Sequence, residues 1–384
     1  MQHTSYIEIS TSAYKKNIEF LRSEVGPKTE ISVVVKGNAY GHGIENIVPI
    51  AEENGIRHFS TFSADEAFRV HLASNQESQI MIMGMLHDND LEEIIRLGIS
   101  FYVFEFERLE AAINTAKKIG IKAKIHVEVE TGFHRTGFEW EDREWLAKVL
   151  IDNIQFLDLR GFCTHYAGAE SISNYVRVRK QIKEYKRFKR WIISQGIEFD
   201  KYHTACSAAT LLYPETKMDL VRIGIASYGF WPTQESYMYR FQSLPENNKN
   251  PLKRLISWKS SIMNTKAVKM GEFIGYGSSY MSPRDMTIAL VPIGYGHGYS
   301  RLLSNQGKVL IGGRVVSVVG IVTMNSIAVD ITDLEGIQKG DEVVIIGKQG
   351  ENEITIASFG ESTQQVNYEL LTRLPLDIPR IVVE

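Results

Sequence analysis

The chain has only two cysteines in 384 residues. Cys163 and Cys206 lie far apart, each inside a strand-like run. The sequence therefore offers neither a disulfide framework nor metal-ligand spacing, and it fits a reducing compartment. No apolar run approaches membrane-spanning length. The opening Met1-Gln2-His3-Thr4-Ser5 also lacks the basic-then-apolar pattern of a secretion signal, so the cytoplasm is the expected location. Net charge is small, -3 at neutral pH, and gives no electrostatic reason to expect nucleic acid or a membrane as partner. The densest basic run, residues 180–189, carries Ile182, Tyr185 and Phe188 at helical spacing and reads as the solvated face of a helix. A Gly-x-Gly-x-x-Gly after the first buried strand is missing too. That absence counts against the main alternative fold, a doubly wound open sheet.

What remains is a globular composition, 43% hydrophobic and 23% charged, on a chain long enough for two domains. Residues 6–9 alternate like a short strand, and Thr11 can cap the helix that follows. Strand-like runs are then expected at 31–35, 58–62, 80–83, 100–104, 123–129, 159–164, 202–206 and 220–223, with helical stretches between them. Eight strands with interleaved helices over about 225 residues predict a (β/α)8 TIM-type barrel at 11–240. A polar, proline-flanked stretch at 242–251 reads as a linker or long loop. Beyond it, glycine-punctuated β runs at 255–268, 287–292, 308–311, 315–319, 326–329 and 342–346 predict a smaller all-β domain. Its expected span is 241–384, joined by the strand within residues 1–10.

Chemistry concentrates at the ends of the barrel strands. The run Ile31-Ser32-Val33-Val34-Val35 ends in Lys36, and Gly37-Asn38 breaks the strand before a helical stretch. This order places an amine at the carboxyl edge of a parallel sheet, where α/β active sites gather. Taken alone, a strand-end lysine is an ordinary solvated residue. In the strand at 123–129, His126, Glu128 and Glu130 share one face, opposite Ile125, Val127 and Val129. With the apolar face against helices, the charged face points into the barrel. Arg135 or His126 would be the partners that make buried carboxylates tolerable.

Lys36-Gly37-Asn38-Ala39-Tyr40-Gly41-His42-Gly43 resembles the cofactor-lysine motif of the alanine racemase family, with Gly37 in place of alanine. The resemblance implies that Lys36 holds pyridoxal 5'-phosphate covalently and that Tyr40 lies in the cofactor site. Residues 124–135 resemble the family stretch whose arginine reaches the cofactor's phenolic oxygen, here Arg135. Glu128 stands where many members carry a carboxylated lysine, and the expectation is that it supplies that negative charge itself. Tyr202-His203-Thr204-Ala205-Cys206-Ser207-Ala208-Ala209 is similar to a phosphate-binding segment, with Ser207 on the phosphate and Cys206 replacing asparagine. His165 ends the preceding strand and is assigned to the cofactor site. In residues 218–229, Gly224 and Ile225 would approach the phosphate, and Arg222 would face the pyridine nitrogen. A permanently protonated guanidinium leaves that nitrogen largely neutral, which weakens the electron sink and favours proton return over transamination.

The resemblance extends into the β domain. Gly275-Tyr276-Gly277 matches the tyrosine that serves as second base opposite Lys36, contributed by the partner subunit of a homodimer. Residues 292–299 and 319–325 match pocket segments, implying substrate contacts from Tyr295, Met324 and Asn325 in addition to Arg135. Met324 would also come from the partner. Gly296, His297, Thr323 and Asn325 depart from the usual residues and bear on substrate choice. Asn367-Tyr368-Glu369 implies a phosphate contact from Tyr368. The expected activity is pyridoxal-phosphate-dependent interconversion of L- and D-alanine, with no metal and with D-alanine feeding cell-wall synthesis. One alternative is a racemase for serine or a longer amino acid. Another is a cofactor-binding protein without turnover, which would have no need of a β domain and its tyrosine. A barrel-type decarboxylase would want an acid where Arg222 stands.

Overall fold

A computed structural model describes residues 3–241, 250–363 and 367–384. Met1, Gln2 and residues 242–249 of the expected linker lie outside it. Ser5–Ser10 forms β1, whose residues alternate between buried and half-buried. The helix Thr11–Val25 follows and buries Tyr14, Ile18 and Leu21, which step by four and three along one face.

The eight expected barrel strands are present. They are β2 (Glu30–Val34), β3 (His58–Thr61), β4 (Gln79–Ile82), β5 (Ser100–Val103), β6 (Ala123–Glu128), β7 (Leu157–Cys163), β8 (Lys201–His203) and β9 (Leu220–Ile223). All neighbours pair in parallel, in the order β8-β7-β6-β5-β4-β3-β2-β9. The ring closes where Cys206 bridges Arg222, whose N–H donates to the Ala205 carbonyl at 2.9 Å. Side chains such as Val33, Phe59, Phe101, Val127 and Phe162 are fully buried. Helices supply the covering layer. In Tyr175–Ser194, Val178, Ile182, Tyr185, Phe188 and Ile192 are buried, while Lys180, Lys183, Lys186 and Arg187 are exposed.

The β-rich part contains β10 (Ile256–Ser261), β11 (Asn264–Val268), β12 (Met286–Val291), β13 (Lys308–Ile311), β14 (Arg314–Val319), β15 (Ile327–Asp330), β16 (Glu342–Gln349), β17 (Asn352–Ile354) and β18 (Arg380–Val383). The order along its sheet is β11-β12-β15-β14-β13-β16-β10-β1-β18, with β17 on β16. Residues 255–268, read from sequence as one run, are two strands. The chain changes partners at Ile262, whose N–H donates to Asp341, and at Met263, whose N–H donates to Leu290. Two short helices, Ile356–Thr363 and Asn367–Thr372, interrupt the β pattern. By contacts, residues 12–39 and 44–254 form one compact unit, and 255–384 form the other together with β1 and Tyr40–Gly43. Among the described residues no helix is long and apolar enough to cross a membrane.

Candidate active site

Directly after β2 and Val35, the chain does something the Gly-Asn signal did not foretell. Gly37, Asn38, Ala39 and Tyr40 all have positive φ, at 61°, 55°, 54° and 51°. This is a turn of left-handed helix launched from Lys36. Glycine adopts it freely and asparagine tolerates it, but Ala39 and Tyr40 each lose roughly 1–2 kcal/mol there. The neighbouring helix Ala64–Ala73 offsets that cost. Its Glu66 carboxylate accepts the N–H groups of Gly37 at 2.6 Å and Asn38 at 3.4 Å, and its other oxygen accepts from Phe62 at 2.9 Å. One turn on, Arg69 donates to Asn38 Oδ1 at 2.6 Å while pairing with Glu45. Asn38 Oδ1 also receives the N–H of Ile44, which starts the next helix.

Lys36 is reached by solvent, yet the surrounding barrel rim lowers its pKa, first by desolvation and then through the positive charge of Arg135. Glu66 acts the other way, and Arg222 adds to the lowering. The same cations bear on His165, which desolvation and then Arg222, Arg135 and Lys36 hold well below the usual histidine range. Lys36, Arg135, His165 and Arg222 thus feel one another at one end of the barrel. Phe133 links two of them. The Arg135 guanidinium lies 4.3 Å from its ring centre, and the His165 ring is 5.6 Å away.

The carboxylates of β6 and the loop after it find partners other than those expected. Glu130 folds back onto its own loop and accepts the N–H groups of Gly132, Phe133 at 2.7 Å, His134 at 2.8 Å and Arg135 at 3.4 Å. Glu128 is buried and receives Thr136 Oγ1 at 2.7 Å. Burial raises its pKa, which Thr136 and Arg135 moderate. Among the described residues no ion pair joins either glutamate to Arg135 or His126. A tight reverse loop supplies N–H and hydroxyl donors closer at hand than either cation.

Arg222 is 4% exposed and heavily committed. Its Nη1 donates to His203 Nδ1 at 2.5 Å and to the His203 carbonyl at 3.1 Å. Its Nη2 donates to the carbonyls of Thr164 at 2.8 Å and Thr204 at 3.1 Å. Guanidinium is a donor only, so His203 Nδ1 must carry a lone pair and Nε2 the proton. That proton points to His126 Nδ1, 2.9 Å away, and His126 Nε2–H in turn meets Ser100 Oγ at 3.2 Å. Ser100 closes the chain on the Ile80 carbonyl at 3.0 Å. Both imidazoles are neutral, their pKa values pushed well down by burial first and by Arg222 among nearby cations. Next to Arg222, Ser207 Oγ gathers the N–H of Gly224 at 3.0 Å and of Ala226 at 3.5 Å.

In the β-rich unit Tyr276, Tyr295, Met324 and Asn325 lie on adjoining loops, and Tyr368 lies in the helix Asn367–Thr372. Tyr276 is 75% exposed. A Cβ on either flanking glycine would meet Ile321, and Gly296 N–H donates to the Met324 carbonyl at 2.9 Å, as Tyr295 N–H does to Thr323 at 3.0 Å. Met324 and Asn325 are exposed, and the rings of Tyr40 and Tyr368 meet edge-on with centres 6.5 Å apart.

Residues 9–232 match the family Alanine racemase, N-terminal domain, and residues 255–382 match Alanine racemase, C-terminal domain. The chain belongs to the alanine racemase family. An alanine racemase of Leptospira interrogans is 32% identical over 385 aligned positions, covering 100% of this chain and 96% of that protein. The solved alanine racemase of Clostridium difficile 630 superposes with a TM-score of 0.91 at 28% identity, covering 100% of this chain and 97% of the other. That of Bartonella henselae, solved with covalently bound pyridoxal phosphate, gives 0.85 at 28% identity and covers both chains completely.

For an alanine racemase family member, the residues that sequence reasoning missed are those that hold the loops. Glu66 and Arg69 look in the sequence like an acidic first helical turn and a surface cation. Thr136 and Ser100 carry no motif at all. Only the backbone of the loops they hold reveals their task.

Proposed function

We propose that the chain is a pyridoxal-phosphate-dependent alanine racemase, with Lys36 and Tyr276 as the two acid–base groups. The observation that carries this reading is the environment of Lys36, an amine of lowered basicity at the barrel's carboxyl edge beside Arg135 and Arg222. A lysine whose charged form is disfavoured in this way is predisposed to act as nucleophile and base.

The residues fit the cofactor. Four of the five guanidinium N–H groups of Arg222 are used by protein acceptors, leaving Nε–H for a ring nitrogen. Ser207 and the loop that begins at Gly224, whose N–H the Ser207 hydroxyl receives at 3.0 Å, are the barrel's candidates for the phosphate, and the family resemblance adds Ile225 and Tyr368. Lys36, Tyr40, Arg135 and His165 complete the set. Bound there, the cofactor would withdraw electrons from the substrate α-carbon and make its proton labile. Lys36 takes or returns that proton on one face, and Tyr276 does so on the other. Arg222, held rigidly and unable to give up its proton, limits how far charge spreads and keeps the reaction at proton transfer.

Tyr276 stands far out from its own chain, with Phe273, Met281, Tyr295 and Met324 exposed on the same or adjoining loops. An apolar face of this kind is suited to a second copy of the chain, so Tyr276 and Met324 would complete the partner's site. D-Alanine made in this way would serve cell-wall synthesis in the cytoplasm.

The test is α-proton exchange. Protein with added cofactor is incubated in deuterated water with single L-amino acids and followed by NMR and chiral analysis. Deuterium incorporation with D-isomer formation in alanine supports the proposal. Faster turnover of serine or a longer amino acid would reassign the substrate through Gly296, His297, Thr323 and Asn325. Cofactor binding without any exchange would overturn it.

A further inference from the structure

We infer that Glu66, with Arg69 one turn further along the same helix, is a positioning residue for Lys36. The pair clamps the left-handed turn that aims the lysine, and the inference rests on the catalytic reading of Lys36 above.

Lys36 sits at the joint between a strand and a turn of disfavoured handedness, and three of the four residues in that turn are not glycine. Such a backbone persists only where its surroundings over-determine it. Here both oxygens of one carboxylate are engaged by backbone N–H groups at two neighbouring strand exits. One accepts from Gly37 and Asn38, directly after the lysine, and the other from Phe62, directly after β3. Glu66 therefore ties the exit of β2 to the exit of β3. Arg69 then fixes Asn38 by its side chain, and Asn38 fixes the start of the next helix through Ile44. Every link in this set involves backbone groups or Asn38, so the clamp acts on where the lysine points. The negative charge of Glu66 near the amine also opposes the lowering of its pKa that desolvation and Arg135 cause.

A glutamine at position 66 has nearly the same shape but only one acceptor oxygen. Its NH2 group would confront the N–H of either Gly37 or Phe62, donor against donor. Aspartate keeps the charge but is one methylene too short to reach both strand exits.

The experiment compares wild type, Glu66→Gln and Glu66→Asp by two independent readouts. In cofactor-free protein, hydrogen exchange of the peptide containing Gly37 and Asn38 should accelerate about tenfold or more in Glu66→Gln, while peptides of the distant strands keep their wild-type rates. In cofactor-loaded protein, kcat should fall roughly ten- to hundredfold with KM within about threefold, because orientation is lost while substrate contacts remain. Glu66→Asp should fall between the two. Unchanged local exchange in Glu66→Gln would overturn the inference, as would exchange that rises uniformly through the whole barrel. An inactive wild type that still shows the local effect would confirm the clamp and refute the racemase reading instead.

Discussion

His126 Nδ1 and His203 Nε2 stand 2.9 Å apart inside the barrel, and they meet across a strand that belongs to neither. The strand between them, β7, carries Gly161 at the crossing point, and a Cβ there would lie 2.1 Å from His126 Nδ1 and 2.7 Å from His203 Nε2. The β6–β7 register shifts beside His126, bringing Gly161 opposite it. Backbone irregularity, glycine and imidazole pair are one feature. Through that pair the orientation of Arg222 is tied to Ser100 on the far side of the barrel.

Gly161→Ala should therefore be costly although alanine suits a strand better than glycine. The methyl group forces the imidazoles apart and leaves buried nitrogens unpaired, together about 3 kcal/mol. Urea denaturation would show it as a lower midpoint at unchanged slope. A stability equal to wild type would mean that the histidines can separate freely.

The barrel interior also dictates how the protein responds to acid. His58 is held down to about 3, and His126, His165 and His203 lie well below the usual range, in each case chiefly through burial. Below about pH 6.5 these side chains bind protons in the unfolded chain but not in the folded one, so folding loses stability as pH falls. Each contributes a slope approaching 1.4 kcal/mol per pH unit, until its own folded-state pKa is reached. Glu128, with its pKa raised, opposes this by a single proton. Thermal unfolding of cofactor-free protein between pH 8 and about 5 should show a steep monotonic decline, shallower in His58→Gln. A flat profile would show that these imidazoles are not buried in neutral form.

Much of this was legible in the letters, and the exceptions have a common cause. The eight barrel strands were readable because each is a short apolar run between turn signals, and burial on both faces leaves that mark. The alternation in residues 123–129 correctly turned His126 inward. The partners of Glu128 and Glu130 were not readable. Sequence reasoning looks for a charge of opposite sign, whereas these carboxylates are satisfied by Thr136 Oγ1 and by four backbone N–H groups, which every sequence possesses. The same holds for Glu66. A left-handed turn through Asn38, Ala39 and Tyr40 runs against local preference, and only the surrounding contacts permit it. The break at Ile262 and Met263 was hidden because both residues are good strand formers; what changes there is the partner strand.

We propose that Glu128 supplies the negative charge that the family resemblance expects at its position, with Arg135 opposing the rise in pKa that burial causes. Glu128→Gln removes the charge but keeps a group able to meet Thr136. Loss of one electrostatic contact of about 1.4 kcal/mol predicts a roughly tenfold fall in kcat/KM. Bicarbonate should restore nothing, since no lysine is present to be carboxylated. Full activity in the variant, or rescue by bicarbonate, would show that Glu128 has no such role.

Tyr276→Phe tests the two-base assignment in a way that rate alone cannot. The enantiomers of alanine have equal free energy, so any variant must lose kcat/KM equally in both directions, here by about 10²–10⁴ for a lost acid–base group. Deuterium exchange is not bound by that symmetry. With Lys36 still in place, one enantiomer should exchange its α-proton with retention of configuration, and the other should not exchange. Equal residual exchange of both would mean that a single base serves both faces.

The shared site can be tested by mixing two dead proteins. On the proposed two-base, dimeric reading, Lys36→Ala lacks the base on one face and Tyr276→Phe the base on the other, so each homodimer would have two defective sites. If Tyr276 completes the partner's site, a mixed dimer places both defects in one site and leaves the second fully wild type. Random exchange of subunits at equal concentration makes about half of all dimers mixed, so about one quarter of sites are restored. Activity should rise to about a quarter of the wild-type value after the two variants are unfolded, mixed and refolded together. It should stay at the sum of the parents if they are refolded separately and assayed before subunits exchange. Were Tyr276 to act on the Lys36 of its own chain, no mixed dimer could contain an intact site, and the mixture would remain as inactive as its parts. Complementation thus separates a tyrosine contributed in trans from one acting in cis, which exposure of Tyr276 alone does not.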